Sequence, residues 1–147
     1  MKKIFTRVLV GIDGSNHSFR AADYAIMVAS NCAAELFAVT VADIPEGNRV
    51  SQLEVIETDV GLDMMQDARN RYETFTQRTK QSGIQLKIEL LKSHSPVDYV
   101  LLEYAKGKEI DLIVIGTRGR TTLDKLLLGS VASRVITNSH CPVLLVK

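Results

Sequence analysis

The chain has 147 residues, close to the roughly 100 to 150 of a typical domain, so residues 1–147 are expected to form a single domain. Hydrophobic residues make up 46% and charged residues 24%, ordinary globular usage that excludes a disordered tail, a collagen-like chain and a disulfide scaffold. The 18 basic and 17 acidic residues leave a net charge of +1, too little for the positive field of a non-specific nucleic-acid binder.

Met1-Lys2-Lys3 carries the charge of a signal-peptide start, but Arg7 and Asp13 break the apolar stretch behind it. No run approaches the roughly 18 apolar residues of a membrane span, so the expectation is a soluble protein of the cytoplasm. Cys32 and Cys141 lack CxxC spacing and read as small buried hydrophobes rather than a bridge or metal site.

Val8-Leu9-Val10-Gly11-Ile12 is a short apolar run ending in Asp13-Gly14-Ser15, the pattern of a strand buried on both faces and its turn. From Ser18, read as an N-cap, Ala21, Ala25, Val28, Ala29 and Cys32 share one helical face. Leu36 to Val41 is the second strand, and Pro45 with Gly47 marks the loop leaving it. The residues around Ser51 to Thr58 favour neither helix nor strand.

Leu62, Met65, Tyr72 and Phe75 repeat at helical spacing, with Gly83 as the C-terminal stop. Met64, Met65 and Tyr72 read as packing, and the mixed charges Asp67, Arg69, Arg71, Glu73 and Arg78 as a solvated face. Ile84, Leu86, Ile88 and Leu90 alternate with polar residues, which predicts a half-exposed strand at the sheet edge. Ser95-Pro96-Val97-Asp98 reads as an N-cap, a proline at the first helical position and a first-turn carboxylate. Leu112 to Ile115 is a fourth strand buried on both faces. A helix from about Ser130 to Thr137, stopped by Asn138 and Pro142, leads to a last strand at Val143 to Val146.

Strand and helix alternate throughout, which predicts an α/β fold with a five-stranded parallel, doubly wound, Rossmann-like sheet. The least hydrophobic strand belongs at an edge and the first and fourth near the centre, giving the order 3-2-1-4-5. Ligands in such sheets bind where the winding reverses, at the carboxyl ends of strands 1 and 4. Those ends carry Asp13-Gly14-Ser15 and Gly116-Thr117-Arg118-Gly119.

Gly116, Gly119, Gly129 and Ser130 form G-x2-G-x9-G-S, running from the end of strand 4 to the start of the last helix. Glycines there let backbone N–H groups approach an anion, and a helix N-terminus adds unpaired donors and a positive dipole. Phosphate is the natural guest, with the Ser130 hydroxyl as a further donor and Arg118, Arg120 and Lys125 as loop cations. The same glycines also fit a strand end, a turn and a residue before an N-cap. Asp13 faces the same crevice, where its carboxylate can accept from ribose hydroxyls or hold Mg2+ beside phosphates, or simply close an Asx-turn. Val41, ending strand 2, can offer backbone groups to an adenine edge or serve as core.

No G-x4-G-K-[ST], no G-x-G-x-x-G after strand 1 and no G-x-S-x-G is present. His17, His94 and His140 are assigned to separate loops or turns, in surface or capping roles.

Together, Val8 to Ser15 (VLVGIDGS), Asp111 to Arg120 (DLIVIGTRGR), Leu126 to Ala132 (LLLGSVA) and Cys141 to Val146 (CPVLLV) resemble the universal stress protein family over essentially the full length. The family's nucleotide-binding branch carries this glycine spacing and its other branch lacks it. The resemblance implies ATP in the crevice, Asp13 and Val41 near the nucleoside, and Gly116, Gly119, Gly129, Ser130 and Val131 around ribose and phosphates. It also implies a homodimer through the last strand. The sequence departs from many members at Gly11 and at His94-Ser95-Pro96. The resulting expectation is an ATP-binding stress-response regulator with at most slow hydrolysis and an unidentified protein partner. The alternatives are a nucleotide hydrolase or phosphotransferase, or a dimeric scaffold with a vestigial pocket.

Overall fold

A computed structural model describes residues 4–43, 59–118 and 128–147, with backbone alone for 43 and 59–69. Among these residues, five parallel strands lie in the order β3-β2-β1-β4-β5, the doubly wound sheet expected from the sequence. They are β1 (Arg7–Gly11), β2 (Glu35–Asp43), β3 (Leu86–Ser93), β4 (Leu112–Gly116) and β5 (Val143–Val146). Helices α1 (Asn16–Cys32), α2 (Asp59–Gln81), α3 (Val97–Gly107) and α4 (Ser130–Asn138) connect them.

Side-chain alternation along the central strands divides the core in two. Val8, Val10, Ala38 and Val114 face α1 and α2, while Leu9, Phe37, Val39, Ile113 and Ile115 face α3 and α4. Helix α1 presents Ala21, Ala25 and Ala29, all fully buried, and these small side chains let it lie close to the sheet. Below the sheet, Asp111 accepts hydrogen bonds from Thr6 N and Thr6 Oγ1, each at 2.8 Å, and from Arg7 N at 3.1 Å. One carboxylate thereby ties the entry of β1 to that of β4.

Two helix starts differ from the sequence reading. Helix α1 is capped by Ser15, whose hydroxyl accepts from Ser18 N at 3.1 Å, so Ser18 is the third helical residue rather than the cap. Gly14, at φ 88°, turns the chain tightly enough for the helix to begin early. Helix α3 begins at Val97 with Pro96, not Ser95, as N-cap, because Pro96 is extended at ψ 146°. Gly83, at φ 70°, follows α2 as expected.

Strand β3 takes the predicted edge position, but its apolar side is not packed away: Ile88 and Leu90 are 46% and 49% exposed. They wall a groove with Tyr72, Glu73, Thr76 and Gln77 of α2. The charged side of α2 is only partly solvated, since Arg71 bonds to Asn16 and Arg78 pairs with Asp23, both on α1. Among the described residues, no helix is long and apolar enough to cross a membrane.

Candidate functional site

β1 pairs with β2 on one side and β4 on the other, and the connections leave the sheet in opposite senses from these neighbours. A cavity of about 580 Å³ opens between their carboxyl ends. Asp13, Val41, Gly116, Arg118, Gly129, Ser130 and Val131 all line it, so the topology brings together residues up to 118 positions apart in sequence (131 minus 13). Gly119, with Arg120 and Lys125, lies outside the described residues, as does the Gly47 to Asp59 segment except for Asp59, which begins α2.

Thr117, just past β4, joins two segments: its N donates to Val146 O of β5 at 2.9 Å, and its carbonyl accepts from Gly129 N at 2.7 Å. Gly129 is the N-cap of α4 and supplies no capping side chain. Its own N–H is therefore committed to Thr117. The N–H groups of Ser130, Val131 and Ala132, the first three of the helix, have no intrahelical acceptor. All three residues line the cavity. Donors of this kind at the positive end of a helix dipole suit an anion. Behind them Arg134 reaches Asp98 of α3 at 3.6 Å, bracing α4 against α3.

Gly116 has a reason beyond backbone approach. A Cβ there would lie 2.9 Å from His17 Cβ and 3.0 Å from the His17 carbonyl, so the missing side chain admits the first turn of α1. His17 is accordingly a helical residue packed on the end of β4, not a loop residue. His140, in the turn before β5, caps no helix: its Nε2 lies 3.1 Å from Ile110 O, just before β4 and 30 residues away. Cys141 is a free, half-buried thiol, and burial pushes its pKa up, which makes it a poor nucleophile at neutral pH.

Asp13 closes the turn and also faces the crevice. Its Oδ1 accepts from Ser15 N at 2.9 Å in an Asx-turn, and the same side chain lines the cavity. Val41 contributes to the α3-side core as well as to the cavity wall. Among the described residues no cluster of three or more His, Cys, Asp or Glu is arranged to hold a metal ion. Any cation would therefore need ligand oxygens besides Asp13.

Sequence reasoning missed part of the wall. Val97 and Leu101 of α3, with Val39 and Ile115 of the sheet, make one side apolar, while Thr40 and Thr117 add hydroxyls. For Val39, Thr40, Ile115 and Thr117 the signal was the strand order, since every residue at the carboxyl end of β1, β2 or β4 is a candidate once the switch point is known; Val97 and Leu101 come from α3 and had no such signal.

The protein-family model described as the universal stress protein family matches residues 5–147. Universal stress protein MJ0531 of Methanocaldococcus jannaschii is 34% identical, over 99% of this chain and 84% of that protein. Universal stress protein UspA from Lactobacillus plantarum superposes with a TM-score of 0.78 at 26% identity, covering 97% of this chain and 98% of its own. A universal stress protein crystallised in complex with cAMP superposes with a TM-score of 0.75 at 29% identity, covering 97% of each chain. On the matched motifs, the full-length match and the shared fold, the chain belongs to the universal stress protein family.

Proposed function

We propose that the protein binds an adenine nucleotide, ATP with Mg2+, in the crevice between β1 and β4, and acts as a cytoplasmic stress-response regulator. Its output is a change of conformation or partner. The observation that carries this reading is the uncapped start of α4 opening onto the same cavity as Asp13. The phosphates would take the free N–H groups of Ser130, Val131 and Ala132 and the Ser130 hydroxyl, with Arg118 offsetting charge. The apolar wall of Val39, Val97 and Leu101 suits a base, and Asp13 suits nucleoside hydroxyls or a cation shared with the phosphates. Gly119 is assigned to the phosphate end and Val41 to the nucleoside end, as the family resemblance implies. The cAMP complex of a relative supports adenine as the base.

A ligand that binds only the folded state adds about 2.7 kcal/mol at one hundred times its dissociation constant. Protein shown to be nucleotide-free should therefore melt several degrees higher with millimolar ATP and Mg2+. An unchanged melting curve would leave the scaffold reading. Sustained phosphate release that disappears in Asp13→Ala would make the protein an enzyme instead.

The dimer reading has its own support. Among the described residues β5 pairs with β4 alone, and Val143, Leu144 and Leu145 stay partly exposed along that edge. An apolar uncovered edge invites a second copy. Light scattering should report a dimer at micromolar concentration and a smaller mass for Val143→Lys.

A further inference from the structure

Strand β3 leaves one edge of the sheet open. Among the described residues it pairs with β2 alone, in an unbroken register from Leu36 with Leu86 to Asp43 with Ser93. Leu36 N donates to Gln85 O at 2.9 Å, so in this parallel ladder the odd-numbered residues of β3 turn their N–H and C=O groups toward β2. Leu86, Ile88 and Leu90 turn theirs outward. The side chains of these three lie on the α2 face, where Leu86 reaches the core and Ile88 and Leu90 stand exposed beside the groove. Lys87 and Glu89 lie on the opposite face, with the Lys87 ammonium 5.7 Å from the centre of the Phe37 ring. An edge with neither proline nor bulge is a template for another strand.

We infer that this edge receives the same edge of a second copy, antiparallel, with the two-fold axis at Ile88. Residues opposed in an antiparallel pair exchange both backbone bonds or neither, so the outward-facing Leu86, Ile88 and Leu90 must meet one another. Charge then selects among the symmetric registers. An axis at Lys87 opposes two ammonium groups and an axis at Glu89 opposes two carboxylates, both unfavourable. An axis at Leu90 sets Ile88 against Lys92 and Glu89 against Leu91, and an axis at Leu86 runs the ladder off the start of the strand. The axis at Ile88 sets Ile88 against itself, Leu86 against Leu90 and Lys87 against Glu89. Apolar side chains meet on the α2 face, and every lysine of the ladder meets a carboxylate on the other. Lys87 and Glu89 take the positions without backbone bonds, where opposed side chains come closest. A strand of another protein would draw no benefit from a pattern that is its own complement. The ladder is short, so the contact is weak and adds to a dimer through β5 rather than replacing it. It depends neither on the crevice nor on its ligand.

Cysteine placement reads the register. In Ile88→Cys the two Cα atoms would be about 5.5 Å apart, within the span of a disulfide, whereas in Leu90→Cys they would be about 14 Å apart along the strands. With a mild oxidant at submillimolar protein, Ile88→Cys should form a covalent dimer. Leu90→Cys should not exceed the parent, which carries the same Cys32 and Cys141. Charge reversal, in proteins without the added cysteine, then identifies the occupant. Lys87→Glu and Glu89→Lys should each weaken self-association at sedimentation equilibrium by about fivefold or more, because both symmetry-related pairs turn from attraction to repulsion. A one-to-one mixture of the two variants should recover it, since each supplies the charge that the other lacks. A role of these side chains in folding alone, or association through β5 alone, predicts no recovery on mixing. Equal cross-linking of Ile88→Cys and Leu90→Cys, none in Ile88→Cys with a parent-like melt, or a mixture no more associated than its components would overturn the inference.

Discussion

Helices α1 and α4 both begin at the carboxyl end of the sheet and border the same crevice, yet one start is closed and the other open. Ser15 puts a hydroxyl on Ser18 N and finishes the first turn of α1. Gly129 offers no side chain, so the first donors of α4 face the cavity unsatisfied. One residue before each helix decides whether its first turn serves the fold or is left for a ligand.

The largest effect should come from closing the space that α1 needs. Gly116→Ala drives a Cβ into the His17 backbone and should cost about 2 kcal/mol in urea unfolding, the usual scale of overpacking. A stability unchanged within error would mean that the α1 start yields easily.

Capping α4 should reverse its role. Gly129→Asp gives the N-cap position a capping side chain, so the melt should hold or improve slightly. The same carboxylate competes for the donors and repels phosphate, so ATP should bind at least about tenfold more weakly, or about 1.4 kcal/mol. Adenosine should bind as before. A variant that folds and binds ATP like the parent would move the phosphates away from α4.

Uncapping α1 makes the converse test. Ser15→Ala removes the hydroxyl but keeps the Ser15 N to Asp13 bond, and should cost about 1 kcal/mol of stability. ATP affinity should change by less than about twofold, below the loss of even a weak hydrogen bond. A larger loss would make the α1 start part of the binding site. The smallest effect belongs to the far end of that helix. Ala33 ends α1 at φ 54°, a conformation that costs a β-carbon about 1 to 2 kcal/mol, and Ala33→Gly should stabilise by about 0.5 kcal/mol after the glycine's own entropy cost.

Much of the architecture was legible in the residues. The apolar runs at Val8 to Ile12 and Leu112 to Ile115 announce central strands, and they are buried on both faces because helices cover both sides of the sheet. The alanine spacing of α1 and the glycine after α2 were equally readable. Capping was harder, since Ser15 and Ser18 are both good caps and only the turn through Gly14 selects between them. The alternation of β3 marked a half-exposed edge strand, but not that Ile88 and Leu90 would be among its exposed residues. Whether an apolar face is covered depends on where α2 lies, and no local pattern encodes that.

By itself, then, the sequence determined the strand order, the switch point and the residue types gathered there, because hydrophobic period and glycine placement are local properties. Only the tertiary structure decided that Gly116 makes room for His17, that the Gly129 N–H is taken while the next three are left over, and that the hydroxyl of Tyr72 on α2 meets that of Thr40 on β2. Each of these is a contact between segments distant in the chain. Close packing fixes such contacts to fractions of an ångström, a precision that composition and period do not carry.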